Sequence, residues 1–450
     1  MSKFELFRKE YPEFIYYGFS TSCEVDKIKV KYHFEIKGLS EFCPEWTFPN
    51  GKNLSVDDTT VRNLIFSIGM VELVSYWKIT CSPLVTVKCG KLKSSQVNWW
   101  KKQYFYGLGE FFYRNEIETD FDSFMNIVSE GEEYLPLDEK VSLEGNLISI
   151  GGGKDSIVTT ELLKGEENSF YMINPRGAMV KTVEVAGYSE KDILATSRTL
   201  DKNMIELNKK GFLNGHTPFS ALVAFSSVLT AFLNGRKYVV LSNESSANES
   251  TVSGTDVNHQ YSKSFQFEKD FFDYEKEFIG SGVYYFSFLR PWSEFQIAEY
   301  FAKNKAYLPV FKSCNAGSKQ DIWCADCSKC LFVAFILSPF LTLSEIENIF
   351  DKNLFEEEKM LDTMYQLIGI SEEKPFECVG SCDEINTALC IAVEKNKDNL
   401  PYLLREYVKT DLYKVYKDRE NTYKSYYNKE NQLPAYFEKI IKNAFNGEKK

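Results

Sequence analysis

The sequence predicts an α/β fold built on a parallel sheet, with an α+β section before it and a mainly helical appendage after it. Three observations carry this. Short apolar segments recur at 147–150, 170–173, 238–241, 284–289 and 307–311, with helix-like stretches between them, notably 191–208 and 219–233. Strands alternating with helices indicate a parallel sheet covered on both faces. Ahead of that region, 27–36 alternates polar and apolar residues, as a half-buried strand does. Behind it, 343–350 and the charged, tyrosine-rich run 402–427 are helical in character. These divisions give three sections, 1–135, 136–345 and 346–450.

The first section also holds 98–113, a stretch dense in Trp, Tyr and Phe. Such density suits a helix packed on the next section, or a wall on which a base stacks. In the second section, function is expected just after each apolar segment, because ligands of parallel sheets sit beyond the carboxyl ends of the strands.

Composition narrows the class. A chain of 450 residues with 44% hydrophobic and 15% aromatic content has ample material for a core. A net charge of −11 weighs against a nucleic-acid surface. Met1–Leu6 lacks the apolar stretch of a signal peptide, and the longest apolar run, 331–343, contains Pro339 and is too short to span a bilayer. Eleven cysteines, four of them close together, suit a reducing cytoplasm and a metal better than a disulfide framework. No membrane partner is expected, and the oligomeric state is left open.

The most specific motif is Gly151-Gly152-Gly153-Lys154-Asp155-Ser156, between an apolar segment and a helix start. That junction aims backbone N–H groups and a helix dipole at one place suited to phosphate. The dinucleotide fingerprint G-x-G-x-x-G fails at Ser156, and a Walker A loop fails because no G-K-[ST] is present. What remains resembles S-G-G-x-D-S, the pyrophosphate loop (PP-loop) of enzymes that split ATP between its α and β phosphates. Gly151 stands where that loop often carries Ser. Gly151, Gly152 and Gly153 would let the backbone approach pyrophosphate, and Ser156 would donate a hydroxyl. Lys154 would offset charge, and Asp155 would orient Mg²⁺ or hold the loop. The plain alternative is an ordinary glycine-rich turn.

Other strand ends supply further candidates. After 238–241 come Asn243, Glu244 and Asn248, suited to Mg²⁺ or substrate, with Glu244 the choice for a metal or general-base role. The alternative there is simple loop composition. Arg290 ends the next segment and suits bidentate binding of phosphate or carboxylate, or a structural ion pair. Ser293 with Gln296 forms a capping box for a following helix. Cys324, Cys327 and Cys330 are spaced C-x2-C-x2-C, and Cys314 supplies a fourth thiol. Four thiolates suit a closed, structural Zn²⁺ site, with an Fe–S cluster or free thiols as alternatives. Acid–base candidates beyond Glu244 are His216, His259 and the third-section thiol Cys378.

Two resemblances follow. Residues 147–335 are similar to 7-cyano-7-deazaguanine synthases in the loop and the thiol spacing. A fuller likeness is to the MurL-type UDP-N-acetylmuramoyl-L-alanyl-L-glutamate epimerases, through 69–78, 107–113, 151–156, 242–248, 324–330 and 375–380. That resemblance implies an adenine-nucleotide alpha-hydrolase-like domain and ATP- and Mg²⁺-dependent inversion of the terminal L-Glu of a UDP-MurNAc-dipeptide in the cytoplasm. Joining the carboxylate to AMP would acidify its α-proton, pyrophosphate would leave into the glycine cradle, and hydrolysis would follow inversion. Two other classes stay open. One is a different ATP pyrophosphatase, such as an amide- or nitrile-forming ligase or a sulfur transferase. The other is a nucleotide-binding scaffold without turnover.

Overall fold

The computed structural model describes residues 2–137, 141–248, 261–371 and 373–445. Among these, eleven strands lie in one sheet: β1 (Glu13–Glu24), β2 (Lys27–Ile36), β3 (Ser40–Phe42), β4 (Glu45–Pro49), β5 (Leu84–Val87), β6 (Asn126–Ser129), β7 (Glu144–Ser149), β8 (Asn168–Ile173), β9 (Ile193–Thr199), β10 (Arg236–Leu241) and β11 (Tyr284–Ser287). Their order is β11-β10-β7-β8-β9-β4-β2-β1-β5-β6, with β3 paired to β2. From β11 to β9 all pairings are parallel. The β9–β4, β4–β2 and β2–β1 pairings are antiparallel, and β5 and β6 add on in parallel. The fold is mixed α/β with a mostly parallel sheet and a helical C-terminal region.

Two expectations are corrected. The helix-like stretch 191–208 contains β9 before a helix at Lys202–Lys209. Its polar residues disguise the strand: Arg198 points inward, where a carboxylate of Glu72 receives it at 2.8 Å. The apolar segment 307–311 is a turn, not a strand. Pro309 has no N–H to offer a ladder, and Tyr307 and Phe311 are buried without one.

Alternation along the parallel strands separates two cores. Leu147, Tyr171, Val239 and Tyr285 face one, with the apolar helices Thr59–Trp77 and Phe219–Leu233. Ile148, Phe170, Val240 and Phe286 face the other, with the helices Lys154–Leu162, Glu294–Lys303, Ser328–Leu337 and Cys382–Lys395. The C-terminal helix Ala435–Phe445 plugs this second face: Phe437 meets the rings of Tyr238, Phe286 and Phe288.

The aromatic stretch forms the helices Ser94–Gly107 and Gly109–Arg114. Its tryptophans pack on Phe225 and Tyr274, so these rings fill a core. A second link between the sections is polar. Buried Glu72 accepts from Trp46 Nε1 on β4 and from Arg198 on β9, tying the helix Thr59–Trp77 to the strand junction. Among the described residues, no helix is long and apolar enough to cross a membrane.

Candidate active site

The chain runs β7, β8, β9 in one direction from β7 and then returns to place β10 on its other side. The strand order therefore reverses between β7 and β10, and a crevice at the carboxyl ends follows from that reversal. A cavity of about 510 Å³ lies there. Gly151, Gly153, Asp155 and Ser156 line it from the β7 end, Arg176 from beyond β8, and Asn243 and Glu244 from beyond β10.

The glycine turn has the geometry its sequence requires. Gly153 caps the helix that starts at Lys154 without a side-chain hydrogen bond, which leaves the first N–H groups available to a ligand. Gly152 has φ +84°, and a Cβ there would lie 3.3 Å from both Ala178 Cβ and the Lys312 carbonyl. At Gly151 a Cβ would meet nothing within 4 Å, so the space for a serine exists. The Ser156 hydroxyl donates to the Gly153 carbonyl at 3.0 Å and braces the turn.

Lys154 does not face the turn. It is buried, and its ammonium bonds to the carboxylates of Asp155 and Glu294. Asp155, Glu244 and Glu294 converge, with one oxygen of each within 4.8 Å of the others. Burial, opposed by Lys154 and reinforced by Asp155 and Glu244, raises the Glu294 carboxyl above the usual range. For Lys154, burial opposes the charge, but Asp155 and Glu294 outweigh it and strengthen the ammonium. The three oxygens form a donor set suited to a hard divalent cation. Glu294 was not singled out from sequence. The available signal was its place at the first turn of the capped helix after Arg290; the capping box of Ser293 and Gln296 is present.

Arg290 is fully buried and turned away from the cavity. It pairs with Glu268 at 3.0 Å and donates to the carbonyls of Glu244 at 2.7 Å and Lys263 at 2.6 Å. It thus holds the two loops that bring Glu244 and Lys263 to the cavity. The Asn243 side chain donates to Ser287 Oγ at 3.0 Å. His216 sits on the turn before Phe219, 3.8 Å from Glu110, and does not line the cavity. His259 and the Asn248 side chain lie outside the described residues. Cys378 does line the cavity, beside Lys263 and Lys329, two cations that sequence reasoning passed over.

The four clustered thiols come together. Sulfur separations are 3.5 Å for Cys327–Cys330, 3.7 Å for Cys324–Cys330 and 3.8 Å for Cys314–Cys327. A tetrahedral ion with Zn–S bonds of about 2.3 Å sets its sulfurs about 3.8 Å apart. The Gly317 N–H donates to Cys314 Sγ at 3.2 Å. The same loop covers the glycine turn: Lys312 N–H donates to the Gly152 carbonyl at 2.8 Å, and Lys312, Ser313 and Cys314 line the cavity.

A mostly parallel sheet with a glycine turn, three convergent carboxylates and a four-thiol cluster at its carboxyl edge defines a mixed α/β protein with a polar crevice at the strand ends. Family models specify it further. Residues 6–288 match the MurL N-terminal domain and 310–421 the MurL C-terminal domain, and the chain belongs to the MurL family. Relatives named UDP-N-acetyl-alpha-D-muramoyl-L-alanyl-L-glutamate epimerase include one from Xanthomonas oryzae pv. oryzae, 32% identical over 78% of this chain and 79% of the relative. Another, from Salinispora tropica, is 35% identical over 75% and 74%. A third, from a Micromonospora strain, is 33% identical over 75% and 76%. No solved structure matches.

Proposed function

We propose that this protein epimerises the terminal L-Glu of UDP-MurNAc-L-Ala-L-Glu to D-Glu in peptidoglycan precursor synthesis, using ATP and Mg²⁺ and releasing AMP and pyrophosphate. The observation that carries the nucleotide part is the glycine turn opening onto the cavity beside Asp155, Glu244 and Glu294. The activity for which the relatives are named supports the substrate.

The residues suit the chemistry. A carboxylate opposes loss of its α-proton, because a second negative charge would form beside the first. Acylation by AMP removes that charge. The N–H groups of the glycine turn and the start of the Lys154 helix receive the leaving pyrophosphate. The three carboxylates hold Mg²⁺, which supplies charge neutralisation for the phosphates when bound. Lys154 bonds to both Asp155 and Glu294 and holds them in place. The four-thiol cluster holds a structural Zn²⁺ that pins the 312–330 loop over the turn. This is PP-loop chemistry with the loop serine replaced by Gly151.

The test is chiral analysis of glutamate released from the product. D-Glu is expected only when UDP-MurNAc-L-Ala-L-Glu, ATP and Mg²⁺ are all present, and Asp155→Ala should abolish it while leaving the fold intact. Conversion without ATP would contradict the assignment.

A further inference from the structure

The carboxylates and the glycine turn account for activation, but inversion also needs a base at carbon. We propose that Cys378, held as a thiolate against Lys263, is the base that takes the α-proton of the activated glutamyl group; this rests on the function proposed above.

Lys263 Nζ lies 2.7 Å from Cys378 Sγ, and both side chains line the cavity that holds the glycine turn and Glu244. That distance suits a charge-assisted contact, and a neighbouring cation is what converts a thiol into a nucleophilic or basic thiolate. Burial opposes the Lys263 charge, but Cys378, Glu244 and Asp155 outweigh it and keep the ammonium charged. The pair is held from several sides. Arg290 fixes the Lys263 carbonyl, Lys329 donates to the Cys378 carbonyl, and Lys374 donates to the Gly380 carbonyl at 3.1 Å. Gly380 lies close against the Glu294 side chain, where a Cβ would come within 3.2 Å of Cγ. The thiol loop and the carboxylate cluster are therefore in register with each other.

The other candidates fit less well. Glu244 and Asp155 are committed to the carboxylate cluster, and a carboxylate bound to a cation is a weak base. His216 is outside the cavity. A thiolate is weakly hydrated and transfers protons from carbon without competing for the metal.

In the step, the sulfur lone pair forms an S–H bond with the α-hydrogen. The C–H electron pair moves into the adjacent acyl carbonyl and gives an enolate. The charge that left sulfur now resides on the enolate oxygen, and Lys263 remains as a local counter-charge. Water in the cavity delivers one proton to the opposite face of the α-carbon, and the thiol returns its proton to solvent. One proton leaves and one arrives, with no redox change.

The experiment uses the full-length zinc-loaded protein with UDP-MurNAc-L-Ala-L-Glu, ATP and Mg²⁺ in D₂O. Wild type should place deuterium at the glutamate α-carbon and form AMP. Cys378→Ser should still form AMP, which also reports that the site is folded, while α-exchange falls about 100-fold or more. Lys263→Met should lower α-exchange and also slow alkylation of Cys378 by iodoacetamide, read by peptide mass spectrometry, as a purely structural lysine would not. Cys378→Ser exchange within threefold of wild type would overturn the proposal. Wild-type exchange without AMP would count against the acyl-adenylate alone and leave the Cys378 comparison decisive. No exchange at all in wild type would overturn both.

Discussion

At the scale of single residues, the site is governed by which charges face each other. Glu294 is buried with Asp155, Glu244 and Lys154 around it, so its role depends on keeping a carboxyl oxygen in the cluster. Glu294→Gln keeps the shape but removes one of the two carboxylate partners of the buried Lys154 ammonium; turnover should fall about 100-fold or more, measured as AMP release, and unfolding stability should fall by up to about 3 kcal/mol, since Asp155 remains as a partner. Gly151→Ser should be tolerated, because its Cβ has open space. Gly152→Ala should impair turnover, since φ +84° disfavours a side chain by about 1 kcal/mol and the Cβ crowds the Lys312 carbonyl. Lys78 offers a pH test away from the site. Burial, with a small push from Arg198, lowers its ammonium to about 8. A lysine depressed on folding costs stability wherever it is charged in the unfolded chain, and that cost is fully present below the folded value and gone above the unfolded one. Stability attributable to it should therefore rise from pH 8 to 10.5, by up to roughly 3 kcal/mol, and stay flat below 8. Denaturant unfolding of wild type against Lys78→Met across that range checks the sign: the difference should move in favour of wild type as pH rises.

At the scale of elements, strand β7 and its glycine turn were legible because three glycines between an apolar segment and a helix leave few alternatives. Strand 27–36 was legible because its alternation is clean, and helix 219–233 because its 15 mostly apolar residues are too many for a strand. Strand β9 was not, because Arg198 and its neighbours read as polar until Glu72 is placed opposite them. Residues 307–311 misled because hydrophobicity alone cannot distinguish a buried turn from a buried strand. Gly69 shows how close the helix Thr59–Trp77 lies to β1: a Cβ there would fall 1.9 Å from Tyr16 Oη. Gly69→Ala should destabilise the fold by about 1–3 kcal/mol in denaturant unfolding, despite the better helix propensity of Ala. The four-cysteine loop is the other element with a direct consequence. Metal analysis should find about one Zn per chain. Stripping it with a chelator should cut turnover, because the loop that bonds Gly152 loses its anchor.

At the scale of the whole molecule, the three sections are not separable modules. One sheet crosses from the first section into the second at β4–β9, and the third section supplies Cys378 to the cavity. Glu384 accepts from the Phe295 N–H, bracing the helix that carries Glu294. The general position of the site could be read from sequence because parallel strands concentrate function at one edge. The partners of each charge could not, since Lys263, Glu294 and Cys378 are far apart in the chain and meet only through the fold. The claim that unites these scales is cleavage of ATP between its α and β phosphates, coupled to inversion. The most direct measurement is the nucleotide product formed with UDP-MurNAc-L-Ala-L-Glu and Mg²⁺, resolved by chromatography alongside D-Glu. AMP and pyrophosphate rising with D-Glu is the expected result; ADP and phosphate as the main products would contradict the account.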